Sequence, residues 1–334
     1  MSKEMEIPLN QAIYDLSSED YHRGFPGTYS SSQLKDILED PEFFYKKHIE
    51  KSIEREEIDA FSTGTYFHTA ILEPHKLKEE IAIFPGKIRR GAEWEAFQKK
   101  HRGKTVLIQG QVEVAERLAE AVKASPVSMG YLQESEPEVS MFLELSVVDG
   151  EHIYAADQEL FLTSGGWETK KIPSAEKKRA RKIVVKIRTD ALGEDFILDL
   201  KSTSGNAKSD REMADKISYY NYDLSAAIYL DVATAVLERE VSSFIWTFAS
   251  KDKWNCRSYL ASQTNIQVGR AKWSTAIRSL AKYLENDWTF EDSLGVLEPK
   301  WFELEILKKK EQTPIKPVAT PAKKKKAEVK SEWD

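Results

Sequence analysis

The run Phe196-Ile-Leu-Asp-Leu-Lys-Ser-Thr203 places a carboxylate, Asp199, two positions before an ammonium, Lys201, inside an apolar, β-prone stretch. In a strand that spacing puts both on one face. Burying a lone charge costs several kcal/mol, so an acid and a base facing the same way beside Ile197, Leu198 and Leu200 need partners or a chemical task. Asp190 closes the preceding strand-like run, Ile183-Val-Val-Lys-Ile-Arg-Thr-Asp190, and the short Leu192-Gly-Glu-Asp195 connection can fold the two runs into a hairpin. Asp190, Asp199 and Lys201 can then converge on one site. A divalent cation such as Mg²⁺ wants hard oxygen ligands and is usually held by one or two carboxylates plus a substrate phosphate. Held there, it polarises a phosphoryl oxygen and lowers the pKa of a bound water, the chemistry of phosphodiester cleavage. Lys201 is placed to orient that water and offset developing charge. An ion pair on an edge strand is the alternative that spacing alone leaves open.

Several elements must position these groups. Ser30-Ser-Ser32 reads as an N-cap cluster before a short helix over 33–38 that stops ahead of Pro41. A second helix is expected from about Ser62 to just before Pro74, carrying His68, and a third over 111–123. Strands follow at 138–145, 153–161, 183–190 and 196–203, most simply as a meander. A long helix is expected over 212–237, covering one face of the sheet, because Ile217, Tyr220, Leu224, Ala227 and Ile228 recur at helical spacing. A hairpin at 244–248 and 256–260 and an amphipathic helix at 265–286 complete an α/β arrangement, a central mixed sheet flanked by helices, with no repeat.

Composition fits a soluble globular chain: 334 residues, 41% apolar and 31% charged. No apolar run reaches about 18 residues and the first residues are polar, so a cytoplasmic protein with no membrane partner is expected. The single cysteine, Cys256, excludes an intrachain disulfide and any multi-cysteine cluster, leaving oxygen and imidazole to hold a metal. The net charge of −6 does not mark a nucleic-acid binder. Its distribution is more telling, because Lys177, Lys178, Arg179, Arg181 and Lys182 crowd the approach to the Asp190 strand, which also carries Arg188. They are candidates for phosphate contacts, with a solvated loop as the alternative. From about Lys308 the composition turns to Lys, Pro, Thr and Ala, that of a disordered tail. No P-loop and no nucleophile elbow occur.

Five segments occur in order: Ser30-Ser-Ser-Gln-Leu34, Phe61-Ser-Thr-Gly-Thr-Tyr-Phe-His-Thr-Ala-Ile-Leu-Glu-Pro74, Arg188-Thr-Asp-Ala-Leu192, Ile197-Leu-Asp-Leu-Lys-Ser-Thr203 and Tyr222-Asp-Leu-Ser-Ala-Ala-Ile-Tyr-Leu-Asp231. Together they resemble the RecE-type exonucleases, exonuclease VIII-like members of the PD-(D/E)xK superfamily related to the RecB nuclease domain. The resemblance covers roughly residues 20 to 290. It implies an α/β, restriction endonuclease-like core at 29–295, preceded by residues 1–28, which read as an irregular lead-in from turn signals at Gly24 and Gly27, and followed by the tail at 308–334. It implies His68, Asp190, Asp199 and the Leu200 carbonyl as ligands of Mg²⁺, for which Mn²⁺ can substitute, and Lys201 as the catalytic lysine. Glu138 either matches a further glutamate of the family or is a surface acid at a strand end. The helix after the lysine usually carries Tyr-x-x-Gln-x-x-x-Tyr. Here Tyr222 and Tyr229 keep the tyrosines while Ser225 stands in the glutamine position, and Gln33 and Gln158 are possible substitutes. The implied activity is degradation of linear double-stranded DNA, 5′ to 3′, by a homo-oligomeric ring that passes the exposed strand to a single-strand annealing protein. A DNA-end-binding module with a weakened site and a repair endonuclease of the same superfamily are the competing expectations.

Overall fold

A computed structural model describes residues 5–53, 59–155 and 158–290. Its strands, in chain order, are β1 (Gln11–Ile13), β2 (Thr28–Ser30), β3 (Ile81–Phe84), β4 (Thr105–Ile108), β5 (Glu136–Val148), β6 (His152–Ala155), β7 (Leu160–Thr163), β8 (Gly166–Thr169), β9 (Arg181–Leu192), β10 (Phe196–Thr203), β11 (Ser243–Ser250) and β12 (Cys256–Leu260). The main sheet runs β12-β11-β10-β9-β5-β6-β7-β8, with β1 added to β5 and β2 added to β9; β3 and β4 pair separately. It is mixed: β10 runs parallel to β11 and antiparallel to β9. The meander therefore holds only from β5 through β8, and a helical crossover joins β10 to β11.

The central strands are buried on both faces, and their alternation feeds two cores. Ile197 joins the larger core with Ile183, Val185 and Ile187, while Phe196, Leu198 and Leu200 join a second core with Tyr66, Phe67 and Leu118. Period-2 geometry therefore sends Asp199 and Lys201 to the face that Ile197 occupies. That face is covered by the helix Tyr222–Leu237, whose Leu224, Ala227, Ile228 and Val232 are fully buried. The opposite face is covered by the helices Asp59–Leu72 and Gln109–Lys123.

β5 takes one edge of β9 along nearly its whole length. The other edge is divided: β2 pairs at Val184, Val185 and Lys186, and β10 pairs at Ala191 and Leu192. Between them this edge is left for side chains, and Asp190 lies in that interval.

Two expectations change. The helix expected over 212–237 is two helices, Asp210–Tyr219 and Tyr222–Leu237, broken at Asn221 with φ +50. Asn tolerates this left-handed conformation better than most residues. The segment expected as an irregular lead-in contributes β1, β2 and the helix Ser18–Arg23, capped by the Ser17 side chain. The tail at 308–334 lies outside the described residues. Among those described, no helix is long and apolar enough to cross a membrane.

The helix Gln263–Glu285 closes the outer side of Tyr222–Leu237. Asp231, 2% exposed, accepts hydrogen bonds from Arg270 Nη2 at 2.8 Å and Trp273 Nε1 at 3.1 Å. Burial pushes its carboxyl up, and these two donors oppose that rise. One buried acid thus ties the two helices into one layer.

Candidate active site

Adjacent strands bring the acids together. Pro137 faces Ala191 and Val139 faces Thr189, which sets Glu138 of β5 opposite Asp190 of β9. Ala191 faces Leu198, which directs Asp190 toward Asp199 of β10. The recorded ladder ends at that pair, and beyond it the Asp190 carboxylate accepts the Leu200 N–H at 2.7 Å. A side chain thus replaces a backbone partner where the strands part.

His68 enters from the opposite face on the helix Asp59–Leu72. Its Nδ1 lies 2.9 Å from the Gly64 carbonyl, to which it donates, while Nε2 faces the Leu200 carbonyl at 3.0 Å and Asp190 Oδ2 at 3.2 Å. Burial would lower the imidazole pKa, but the Asp190 carboxylate raises it to about 9, so the free protein holds an imidazolium whose Nε2–H serves both acceptors. Burial likewise pushes the Asp190 carboxyl up, and His68, Lys201 and the Leu200 N–H more than reverse this, leaving it below the usual carboxylate range.

Lys201 Nζ lies 2.6 Å from Asp199 Oδ2 and donates to the Leu200 carbonyl at 3.4 Å. Burial opposes its charge, yet Asp199 and Asp190 together raise its pKa above the ordinary lysine value. Asp199 moves up, chiefly through burial, despite the lysine beside it. Glu138 is pushed up to about 7, by burial first and by the Asp190 charge second, and its Oε2 sits 2.5 Å from Arg188 Nε. Its φ of +53 is uncommon for a side-chain-bearing residue, and such strain gathers at functional positions.

Among the described residues no group of three or more His, Cys, Asp or Glu side chains is arranged around one point to hold a metal. The physical reason lies in the pairings: Asp199 is turned onto Lys201 and Glu138 onto Arg188. The donor set that does converge is one imidazole nitrogen, one carboxylate oxygen and one carbonyl oxygen. An octahedral ion with bonds of about 2.1 Å sets neighbouring ligands about 3 Å apart, and His68 Nε2 stands 3.0 and 3.2 Å from the other two donors. A histidine whose second nitrogen donates to a backbone carbonyl is also the usual form of a metal-binding histidine. These three donors fit a divalent cation.

The helix Tyr222–Leu237 runs past this group. Lys201 Nζ is 5.4 Å from the centre of the Tyr222 ring, and the Tyr229 hydroxyl is pushed well up by burial, with Ser31 opposing that rise. Ser225 is half-buried between the two tyrosines. Neither candidate substitute glutamine is free to replace the missing one: Gln33 Oε1 accepts the Ser30 N–H at 2.9 Å, and Gln158 Nε2 donates to the Ala235 carbonyl at 2.9 Å. Ala235 is ten residues beyond Ser225 on the helix, about 15 Å away.

The basic run stands elsewhere. Arg181 begins β9 and Asp190 is near its end, about 30 Å apart in extended chain. Lys177 and Lys178 are exposed, Arg179 lies 3.9 Å from Asp149, Arg181 donates to the Leu284 carbonyl and Lys182 pairs with Glu144 at 2.6 Å. Only Arg188 of that set is brought to the site, through Glu138. Lys35 was not legible from sequence. It projects from the helix Ser31–Glu39 to within 5.1 Å of the Tyr222 ring centre, and neither its spacing nor its neighbours in the chain marked it.

A crystal structure of a protein from Eubacterium rectale, provisionally described as an exonuclease, is similar over 87% of this chain and 98% of its own, at 14% identity and a TM-score of 0.52. It shows a shared fold. Two others, of the protein SSO0001 (14% identity, 73% and 84% coverage, TM-score 0.21) and of Scheffersomyces stipitis Rai1 (9%, 83% and 76%, 0.24), are too dissimilar to carry an argument. No curated protein matches the chain. The model of a family described as a PDDEXK-like domain of unknown function (DUF3799) matches residues 30–289. That match spans most of the chain and agrees with the mixed sheet and its flanking helices, so the chain belongs to that family and carries a PD-(D/E)xK-like domain.

Proposed function

We propose that the protein is a metal-dependent exodeoxyribonuclease that shortens linear double-stranded DNA. The observation that carries this reading is the meeting of His68 Nε2 with Asp190 Oδ2 and the Leu200 carbonyl, beside an Asp199–Lys201 contact of 2.6 Å. His68, Asp190, Asp199 and the Leu200 carbonyl would hold the ion, Mg²⁺ with Mn²⁺ able to substitute. When bound, such an ion polarises the phosphoryl oxygen and makes a nearby water more acidic. Lys201, kept charged by two carboxylates, orients the attacking water and offsets negative charge gathering on the phosphate. Asp190 keeps His68 oriented, and Arg188 holds Glu138 at the margin of the site. The description of the Eubacterium rectale relative favours an exonuclease, as does the RecE-like order of motifs. From the same likeness come 5′ to 3′ polarity, a ring-shaped homo-oligomer and delivery of the exposed strand to an annealing protein in recombination.

Ser225 supports a second reading, in which the chain holds DNA ends with little turnover. One experiment separates the two: end-labelled linear and covalently closed duplexes, incubated with Mg²⁺, Mn²⁺ or EDTA, beside Asp199→Ala and Lys201→Ala. Linear DNA should be degraded with either metal and spared in EDTA, with Lys201→Ala slowed about 10²- to 10³-fold. Binding without turnover would favour the end-holding reading. Cutting of closed circles would point to an endonuclease, and parental rates in both variants would sink the assignment of the site.

A further inference from the structure

A line of tyrosine rings leads from solvent to Lys201. Tyr219 and Tyr220 are 80% and 48% exposed, unusual for large rings beside a buried charged site. They lie at the break between the helices Asp210–Tyr219 and Tyr222–Leu237, where Asn221 turns the chain through its left-handed conformation. The Tyr219 and Tyr220 rings meet edge to face at 4.9 Å, and Tyr220 stacks on Tyr222 at 5.4 Å with the planes 25° apart. The Tyr222 ring is also within cation–π distance of two ammonium groups, Lys201 at 5.4 Å and Lys35 at 5.1 Å.

Lys35 adds a second observation. Lys201 is engaged by Asp199, and nearby Lys272 donates to both Asp223 oxygens at 2.9 and 2.7 Å. Among the described residues Lys35 has no carboxylate in ion-pair contact, although it is partly buried and its charge lies close enough to feel Lys201, Asp199, Asp223 and Lys272. A cation held in this way beside a nuclease site suits a phosphate. Exposed, self-stacked rings ending at that cation suit unpaired bases, because every base presents a π-face and stacking needs no particular sequence. A base pair inside the duplex keeps both faces covered, and a blunt end offers only the one outer face of its last pair, whereas unpaired bases can stack in succession.

We propose that Tyr219 and Tyr220 form a stacking platform for unpaired bases of the strand held at the site, and that Lys35 binds a phosphate of the same strand between the platform and Lys201. This rests on the nuclease reading for the identity of the strand. It adds that the preferred substrate end is frayed or single-stranded over its last nucleotides.

The test measures binding without turnover, so the two readings can fail separately. Fluorescence anisotropy in EDTA follows a labelled thymidine hexanucleotide with a 5′ phosphate, over a salt series, on the full chain. Replacing both tyrosines by alanine should weaken binding about tenfold at every salt concentration without changing the salt slope, since stacking is worth about 1–3 kcal/mol per base. Tyr219→Phe with Tyr220→Phe should bind like the parent, because the ring and not the hydroxyl is used. Lys35→Gln should flatten the slope of log affinity against log salt by about 0.7, one single-strand phosphate contact. An abasic hexanucleotide should bind the parent as weakly as the intact one binds the alanine pair. If the pair fails to fold, judged by circular dichroism, Tyr219→Ala alone serves, with a severalfold loss expected. Unchanged affinity in the alanine variants, or equal binding of the abasic strand, overturns the platform. So does a loss that accompanies dissociation of an oligomer in sedimentation, since the rings would then be a protein interface. An unchanged salt slope in Lys35→Gln removes the phosphate contact.

Discussion

Ser225 lies half-buried on the helix Tyr222–Leu237, between two tyrosines that neighbour the site. Its hydroxyl is too short to reach what an amide could reach from the same Cα, and Gln33 and Gln158 are committed to backbone groups. Ser225→Gln should therefore raise the single-turnover cleavage rate of linear duplex DNA by about two- to tenfold, the worth of one added hydrogen bond. An unchanged or lower rate would show that the serine is not a deficit. At this scale legibility followed distance along the chain. Asp199 and Lys201 could be read from period-2 spacing, and Asp190 from the short connection to them. Lys35 could not, because it reaches Tyr222 only through packing of the helix Ser31–Glu39 against distant elements. Its own neighbours, Leu34 and Asp36, describe an ordinary amphipathic turn.

Elements are held in register by close approaches that residue chemistry alone does not reveal. The helices Tyr222–Leu237 and Gln263–Glu285 cross so closely at Gly269 that an added Cβ would stand 2.0 Å from the Asp223 carbonyl oxygen and 2.9 Å from the Ala227 Cβ. Backbone cannot yield as a flexible side chain can. Gly269→Ala should cost about 2–3 kcal/mol in chemical denaturation through overpacking, whereas Gly130→Ala, on the helix Pro126–Gln133 with nothing within 4 Å, should be neutral or gain up to about 1 kcal/mol. Equal effects would mean that helix propensity, not the crossing, governs both sites. Because Asp223 and Tyr222 are adjacent, the Gly269 variant should also slow cleavage. The helix break at Asn221 was hidden in the sequence for a related reason: apolar residues continue at helical spacing from Ile217 to Ile228, so the periodicity passes through it without interruption. Only the left-handed φ at Asn221 marks the turn.

Across the whole molecule, the N-terminal segment is fastened to the sheet it precedes. β1 pairs with β5, β2 pairs with β9, and Leu16, Tyr21 and Phe25 pack with Phe142. Three-residue strands are too short to show a period, so this segment read as irregular, while the long runs of β5, β9 and β10 were visible at once. One buried cation fastens the two parts: Lys186 of β9, 5% exposed, donates to the Tyr21 carbonyl at 2.7 Å, and burial lowers its pKa from 10.5 to about 8. The sign of the resulting pH dependence follows from proton counts. Below pH 8 the lysine is charged in both folded and unfolded chains, so the full cost of burying the charge is present. Between about pH 8 and 10.5 the unfolded chain still binds the proton that the folded protein has released, so stability attributable to this group rises with pH. Above that range neither state is charged and the cost is gone. Lys186→Met removes this titration while leaving the Tyr21 carbonyl without its donor. The unfolding free energy of the parent, measured relative to Lys186→Met, should therefore improve between pH 7.5 and 10, by on the order of 2 kcal/mol at a limiting 1.36 kcal/mol per pH unit. Comparing two proteins cancels the other titrating groups. A difference independent of pH would mean that Lys186 keeps its proton in the fold and that its contact with Tyr21, not its desolvation, sets how firmly the N-terminal segment is held.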